Sequence, residues 1–235
     1  MRLILLCFIS ILFLNCQDKK TKIKNTSKVI QNTSEEKELV KKDSVITPKR
    51  EFPLLTDDNA MEFFLEYEKH NKENKIRITT DYGEIDILLY EKTKFHRANF
   101  IFLTKQKYFD NTQFYRIVNN FIIQGGSTDD AKVKRKRKQI GKYLLPTDTK
   151  RGYKHHRGAV SMPSGAIENP YKLASPYQFF IVQKKDGAYH LDGDYTIFGK
   201  VIRGMDVVDE IAKQETDNAE WPLHNVYIRK VEIID

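Results

Sequence analysis

Arg116 interrupts an apolar, strand-like run, Phe114-Tyr115-Arg116-Ile117-Val118. A second such run, Phe121-Ile122-Ile123-Gln124, follows the turn residues Asn119-Asn120 and ends in Gly125-Gly126. A guanidinium among apolar neighbours needs a reason to be there, because burying it unpaired is costly. An arginine, an aromatic and an amide on adjacent strands can wall one small pocket, polar on one side and apolar on the other. That composition suits a compact, neutral ligand.

Other chemistries find less support in the chain. His155-His156 invites a metal, but adjacent histidines point apart in extended backbone and no Cys/His/Asp cluster has metal-ligand spacing, so no metal site is expected. The sequence holds no GxSxG, HExxH, GxGxxG or P-loop. Its two cysteines, Cys7 and Cys16, both lie near the start, which leaves the body without a disulfide framework or a thiol nucleophile. The net charge of +8 permits anionic partners without showing any. The densest basic run, Lys132–Lys138, has no interleaved aromatics. It reads as a solvated loop, with polyanion binding as the alternative, and no nucleic-acid partner is expected.

The elements that must position Arg116 follow from periodicity. Ile76 and Ile78, then Ile85, Ile87 and Leu89, alternate about Asp81-Tyr82-Gly83 as a β-hairpin. Further strands are expected at Phe114–Val118, Phe121–Gln124, Gly158–Met162, Phe179–Gln183, Ile197–Val201 and Val226–Ile234, with Arg229-Lys230 marking a bulge in the last. Helical spacing covers Thr93–Lys107 and recurs at Met205, Val208 and Ala212. About eight short strands with two helices predict a mainly β fold, an antiparallel barrel whose closure removes exposed edges. A further helix from Asp57 to His70 is expected, with Asp57-Asp58-Asn59 offering caps and Met61, Phe64 and Leu65 an apolar face.

From Lys75 onward the chain resembles the cyclophilins, the prolyl cis/trans isomerases. Phe114 to Gly126 is similar to their F-H-R-x-x-x-x-F-x-x-Q-G-G signature. Ala98-Asn99-Phe100, Arg157–Met162, Gln178-Phe179-Phe180-Ile181, Leu191-Asp192-Gly193, Phe198-Gly199-Lys200-Val201 and Gly204–Val208 resemble other family blocks in the same order. The resemblance implies a closed eight-stranded cyclophilin-like barrel capped by two helices, here with an added N-terminal helix. It implies Arg116 as the catalytic arginine. Phe121, Ile122, Phe180 and Leu191 would line a proline pocket, and Gln124 would bond the substrate backbone. Ser164, His190 and Tyr195 occupy further substrate-contact positions. The implied reaction needs no nucleophile, metal or cofactor. The chain also departs from the family. His190 stands where tryptophan is common, which should weaken cyclosporin-type binding. Tyr115 and Tyr195 stand at frequent histidine positions, Pro163-Ser164 replaces Ala-Asn, and Tyr177 replaces serine. A second reading, supported by an altered pocket rim at Pro163-Ser164, Tyr177 and His190, therefore stands beside catalysis: a module that holds proline segments with weak or no turnover.

The beginning of the chain has its own logic. Arg2, the apolar Leu3–Leu14 (too short to span a bilayer) and Cys16 resemble a bacterial lipoprotein signal, with an ordinary signal peptide or a membrane anchor beside a chance cysteine as the alternative. This divides the chain into a signal over 1–16 ending at a lipidated Cys16, a polar tether over 17–52, a helical extension over 53–74 and an isomerase-like domain over 75–235. The expected setting is export to the cell envelope, with a membrane held through the lipid and unfolded or exported proline-containing chains as partners.

Overall fold

The computed structural model describes residues 50–164 and 169–235. The signal, Cys16 and nearly all of the expected tether lie outside the described residues. The strands are β1 (Leu55–Thr56), β2 (Lys75–Thr80), β3 (Gly83–Leu89), β4 (Thr112–Val118), β5 (Ile122–Ser127), β6 (Gly141–Lys142), β7 (Ala159–Ser161), β8 (Phe179–Val182), β9 (Ile197–Arg203) and β10 (Val226–Ile233). The helices are α1 (Ala60–His70), α2 (Lys94–Lys105), α3 (Ala131–Ile140) and α4 (Met205–Ala212). Eight strands close an antiparallel barrel in the order β10-β2-β3-β9-β7-β8-β5-β4, as the resemblance implied.

Alternation makes the wall. On β2, Ile76 and Ile78 face the core while Arg77 faces out and pairs with Asp86 of β3 at 2.8 Å. The expected bulge in β10 is present, as a register shift between Ile228 and Lys230 opposite β2. Two apolar clusters result. One fills the barrel and its helical caps, with Phe114, Ile123, Phe179, Ile181 and Ile228 among its buried members. A smaller one gathers Ile122, Ala159, Phe180, Val182, Ala188 and Ile197, with Phe121, Leu191 and Tyr195 packed against it.

The N-terminal helix is part of this body. Phe63, Phe64 and Tyr67 of α1 set their rings about Phe102 of α2, at centroid distances of 5.2, 5.8 and 5.4 Å. Beside them Arg97, 2% exposed, pairs with Glu68 at 2.6 Å. Losing one partner of such a pair costs about 3–5 kcal/mol, because the other is left buried and charged. The capping expected of Asp57-Asp58-Asn59 is not made. Asn59 turns back to Thr56 N and Leu54 O, and Asp57 accepts from Leu144 N, so these side chains fasten β1 instead. β1 pairs in parallel with β6, where Gly141 is obligatory: a Cβ there would lie 1.9 Å from Leu55 O.

Lys132–Lys138 corrects the sequence reading. It is not a loop but the body of α3. Asp130 caps the helix by accepting from the backbone N–H groups of Lys132 and Val133, and Val133 and Ile140 are buried. Capping and two apolar anchors outweigh the mutual repulsion of the basic side chains, which stay largely solvated.

α2 also carries His96, fully buried, with neither ring nitrogen hydrogen-bonded among the described residues and its ring stacked 6.4 Å from Phe198. Burial pushes its pKa from 6.5 down to about 4, against a weaker opposing pull from Asp148. The unfolded chain therefore binds this proton near pH 6.5 and the native chain only near pH 4. Native stability should fall as pH drops through that window and level off below it, as far as this group is concerned. Urea midpoints of the wild type should decline between pH 7 and 5 more steeply than those of His96→Leu; equal slopes would contradict the assignment.

Candidate functional site

The β4–β5 hairpin builds the polar side of the site. Phe114 pairs with Gly125 and Arg116 with Gln124, with a register shift between them at Tyr115. This bulge changes the alternation. Phe114 and Ile117 are buried, whereas Tyr115 and Arg116 both turn to the outer face. The arginine inside an apolar run is thus not a buried charge: it is 34% exposed. The hairpin turn holds Asn120 at φ +57°, and Phe121 sits in that turn rather than in the strand expected for it. The two glycines that follow differ in how tightly they are constrained. A Cβ on Gly125 would press the Phe114 ring at 3.0 Å, and one on Gly126, at φ +97°, would meet Tyr177 O at 2.4 Å.

Beside this hairpin lies a cavity of about 280 Å³, lined by Arg116, Phe121, Ile122, Gln124, Pro163, Ser164, Phe180, Leu191 and Tyr195. Arg116 is the only charged residue in that set. Phe180 forms an apolar wall, its ring edge-on to Tyr195 at 5.9 Å and parallel to His155 at 5.9 Å. Leu191 reaches the cavity from a 3₁₀ turn, Tyr189–Leu191. Asp192, next in the chain, fixes that turn by accepting from both the backbone N and the Nδ1 of His155, at 2.9 and 2.8 Å. His155 Nε2 lies 3.2 Å from Ser161 Oγ, and Ser161 donates to Thr196 O. Burial lowers the His155 pKa although Asp192 opposes the shift. Ser164 Oγ accepts from Asn169 Nδ2 at 3.1 Å, and Pro163 O accepts from Ser175 N at 2.8 Å.

Seven of the expected side chains other than His190 therefore meet at one cavity with Arg116. His190 does not line it. Successive residues of a 3₁₀ turn point in different directions, so the turn that delivers Leu191 inward leaves His190 exposed, its ring stacked on Phe121 at 5.3 Å. Tyr177 is no rim residue either. It is buried and donates its hydroxyl to Gly141 O at 2.8 Å. His155 and His156 part company as anticipated, His156 going to Tyr189 OH at 2.8 Å. Among the described residues no cluster of three metal-ligating side chains is present. Sequence reasoning missed Glu220, whose Oε2 accepts from Arg116 Nε at 2.6 Å across a separation of 104 residues. It also missed Trp221, packed 5.8 Å from Tyr115. Neither has a local signal in the spacing around Arg116.

Comparison with known proteins agrees with this architecture. A family model described as cyclophilin type peptidyl-prolyl cis-trans isomerase/CLD matches residues 75–233. The chain is 32% identical over 162 residues to peptidyl-prolyl cis-trans isomerase CYP18-2 of Arabidopsis thaliana, covering 68% of this chain and 94% of that protein. It is 34% identical over 182 residues to peptidyl-prolyl cis-trans isomerase-like 2 of Rhizopus delemar, 77% of this chain but only 32% of that longer protein. A crystal structure of a Cryptosporidium parvum cyclophilin type peptidyl-prolyl cis-trans isomerase, in the presence of dipeptide Ala-Pro, superposes with a TM-score of 0.57 at 28% identity. The match covers 68% of this chain and 99% of that one.

The Asp192–His155 link generates a test of the apolar wall. Asp192→Ala leaves two donors of a buried histidine without their acceptor and should cost about 1–3 kcal/mol. Urea titration should show the loss, and hydrogen exchange should speed up at the Leu191 and Asp192 amides, which close the turn onto Ala188 O and Tyr189 O. Wild-type protection of these amides would mean the turn holds itself.

Proposed function

The chain belongs to the cyclophilin-type peptidyl-prolyl cis-trans isomerase family, and from that premise we propose that it speeds rotation about X-Pro bonds of exported, incompletely folded chains, with Arg116 as the catalytic residue. The observation that carries this is the cavity itself: one guanidinium on the outer face of β4 opposite an apolar wall of Phe121, Ile122, Phe180 and Leu191.

The chemistry follows from the amide. Rotation breaks resonance, with a barrier of ~18–20 kcal/mol, and uncatalysed X-Pro exchange takes roughly tens to hundreds of seconds. No bond to carbon is made or broken. A catalyst has only to bind the twisted amide more tightly than either planar form. In the twist, the prolyl nitrogen regains a lone pair. Arg116 donates an N–H to that nitrogen, a hydrogen bond that the planar amide does not offer. Phe121, Phe180 and Leu191 hold the pyrrolidine ring while the acyl side turns, the two phenylalanines supplying rigid aromatic area at little entropic cost. Gln124 presents its amide beside Arg116 for the substrate backbone. Lysine in place of Arg116 lacks the planar fork that fixes donor direction.

The test is isomerisation of a short X-Pro peptide by the full chain beside Arg116→Ala. Acceleration by the wild type should fall ten-fold or more in the variant, the order of magnitude for losing one transition-state donor. A folded wild type that binds the peptide without accelerating exchange would favour the holding module instead.

The setting is a separate part of the proposal. Arg2, the apolar Leu3–Leu14 and Cys16 support export and lipid attachment at Cys16, and a lipid there would hold the domain at the cell envelope on a polar tether. Cys16→Ser should move the protein from the membrane fraction to the soluble fraction; unchanged membrane association would remove Cys16 as the anchor.

A further inference from the structure

The loop between α4 and β10 takes hold of three consecutive residues of β4. Trp221 packs its ring on Tyr115 at 5.8 Å. The Glu220 carboxylate accepts from Arg116 Nε at 2.6 Å. The Glu220 backbone carbonyl accepts from Ile117 N at 2.9 Å. Through Tyr115 the grip extends to another polar group of the cavity, since Gln124 Nε2 donates to Tyr115 OH.

The loop is built to hold that position. Thr216 and Pro222 form an antiparallel bridge, and Leu223 N donates to Glu215 O at 2.8 Å. Asp217 N donates to Trp221 O at 2.8 Å. The Asp217 carboxylate accepts from Ala219 N and Trp221 N at 2.8 and 2.9 Å. At the tip Glu220 adopts φ +65°, a left-handed conformation that a non-glycine residue takes only where its surroundings enforce it. Two independent bonds from one residue, carbonyl to Ile117 and carboxylate to Arg116, set the carboxylate in register with the strand.

We infer that Glu220 is the positioning residue for Arg116: it occupies Nε and thereby directs the two Nη groups into the cavity. This rests on the proposed role of Arg116. An arginine has many rotamers, and one left free must be ordered each time a substrate binds. Fixing Nε beforehand orders the stem and the plane of the guanidinium, while the fork that meets the prolyl nitrogen stays open. Among the described residues Glu220 supplies the only side-chain hydrogen bond to Arg116. The contact therefore acts on the orientation of the donor, not on the shape of the apolar wall, which is made by other elements.

The experiment measures peptide isomerisation by the full chain for wild type, Glu220→Ala, Glu220→Gln, Arg116→Ala and the Glu220→Ala/Arg116→Ala pair. Glu220→Ala should lower kcat roughly ten-fold with KM little changed, the scale of effect that a misplaced catalytic group produces. Glu220→Gln should recover most of the loss, because its Oε1 still accepts from Nε. Adding Glu220→Ala to Arg116→Ala should change nothing further, since the carboxylate then has nothing to position. Trp221, the chain's only tryptophan, reports the loop by its emission and keeps collapse of the loop apart from loss of the ion pair. Wild-type kcat in Glu220→Ala, or losses that multiply in the double variant, overturn the inference. If Arg116→Ala itself turns over normally, the reading of the site falls and Glu220 with it. If only Arg116→Ala is impaired, the site reading stands and the positioning role is lost. Should Glu220→Ala fail to fold, Glu220→Asp, one methylene shorter, takes its place in the comparison: undiminished kcat ends the proposal.

Discussion

The bulge at Tyr115 is the constraint on which the site depends. A regular strand would alternate, so Phe114 pointing into the barrel would send Arg116 into the barrel with it. One extra residue opposite Gly125 breaks that parity, and Phe114 and Ile117 both remain buried while Tyr115 and Arg116 face out. The barrel keeps its apolar interior and the guanidinium avoids desolvation. The bulge has requirements of its own. A Cβ on Gly125 would crowd the Phe114 ring at 3.0 Å, and Gly126 takes a left-handed φ under Tyr177 O, where a Cβ would lie at 2.4 Å. Tyr177 is in turn tied to Gly141, where β6 meets β1. A chain of close approaches thus runs from the face that carries Arg116 to the edge where the N-terminal extension joins the barrel.

The apolar side of the site uses a different device. It is the surface of a second, small core that lies outside the barrel wall, with Phe180 and Ile122 buried in it and Phe121, Leu191 and Tyr195 closing over it. Phe179 and Phe180 show the division within two residues: consecutive side chains on β8 serve the two cores on opposite faces of one strand. Leu191 belongs to no strand. It is held by a carboxylate and a buried histidine whose neutral form burial favours. The wall is therefore rigid for two reasons, close packing where strands supply it and directed hydrogen bonds where a loop does.

What the sequence revealed tracks how local each feature is. Arg116, Phe121, Ile122 and Gln124 sit within nine positions on one hairpin, so their proximity was legible from pattern alone. Phe180 and Leu191 were placed through family blocks, since an aromatic on a strand is more often core. The barrel was legible in its alternation. α3 was not, because a run of like charges argues for a solvated loop, and only Asp130 as cap and Val133 and Ile140 as anchors favour the helix. Tyr177 and His190 were misplaced for different reasons. His190 adjoins Leu191, which lines the cavity, but the 3₁₀ turn sends the two side chains in different directions, whereas Tyr177 lies in the turn before β8 and is held inward by its bond to Gly141 O. Glu220 had no sequence signal at all, being brought to Arg116 by the tertiary path of a loop.

The Arg116–Glu220 pair is better understood through position than through stability. Its partners are 34% and 41% exposed, and ion pairs of that kind contribute about 0–1 kcal/mol to folding. The buried Arg97–Glu68 pair makes the contrast, for there the penalty of an unpaired charge locks α1 onto α2. A loop with its own bridge, an aspartate-stabilised turn and a strained tip is a large structure to maintain for so small a stabilising return. In the role proposed for Arg116, rotation about an amide asks for a donor that already points where the nitrogen lone pair will appear, since a group that must first be ordered gives up part of its advantage at every turnover. A half-exposed carboxylate bonded to Nε meets that need. It lowers the freedom of the guanidinium, leaves its fork open to the cavity, and does so from a loop that makes no claim on the apolar wall.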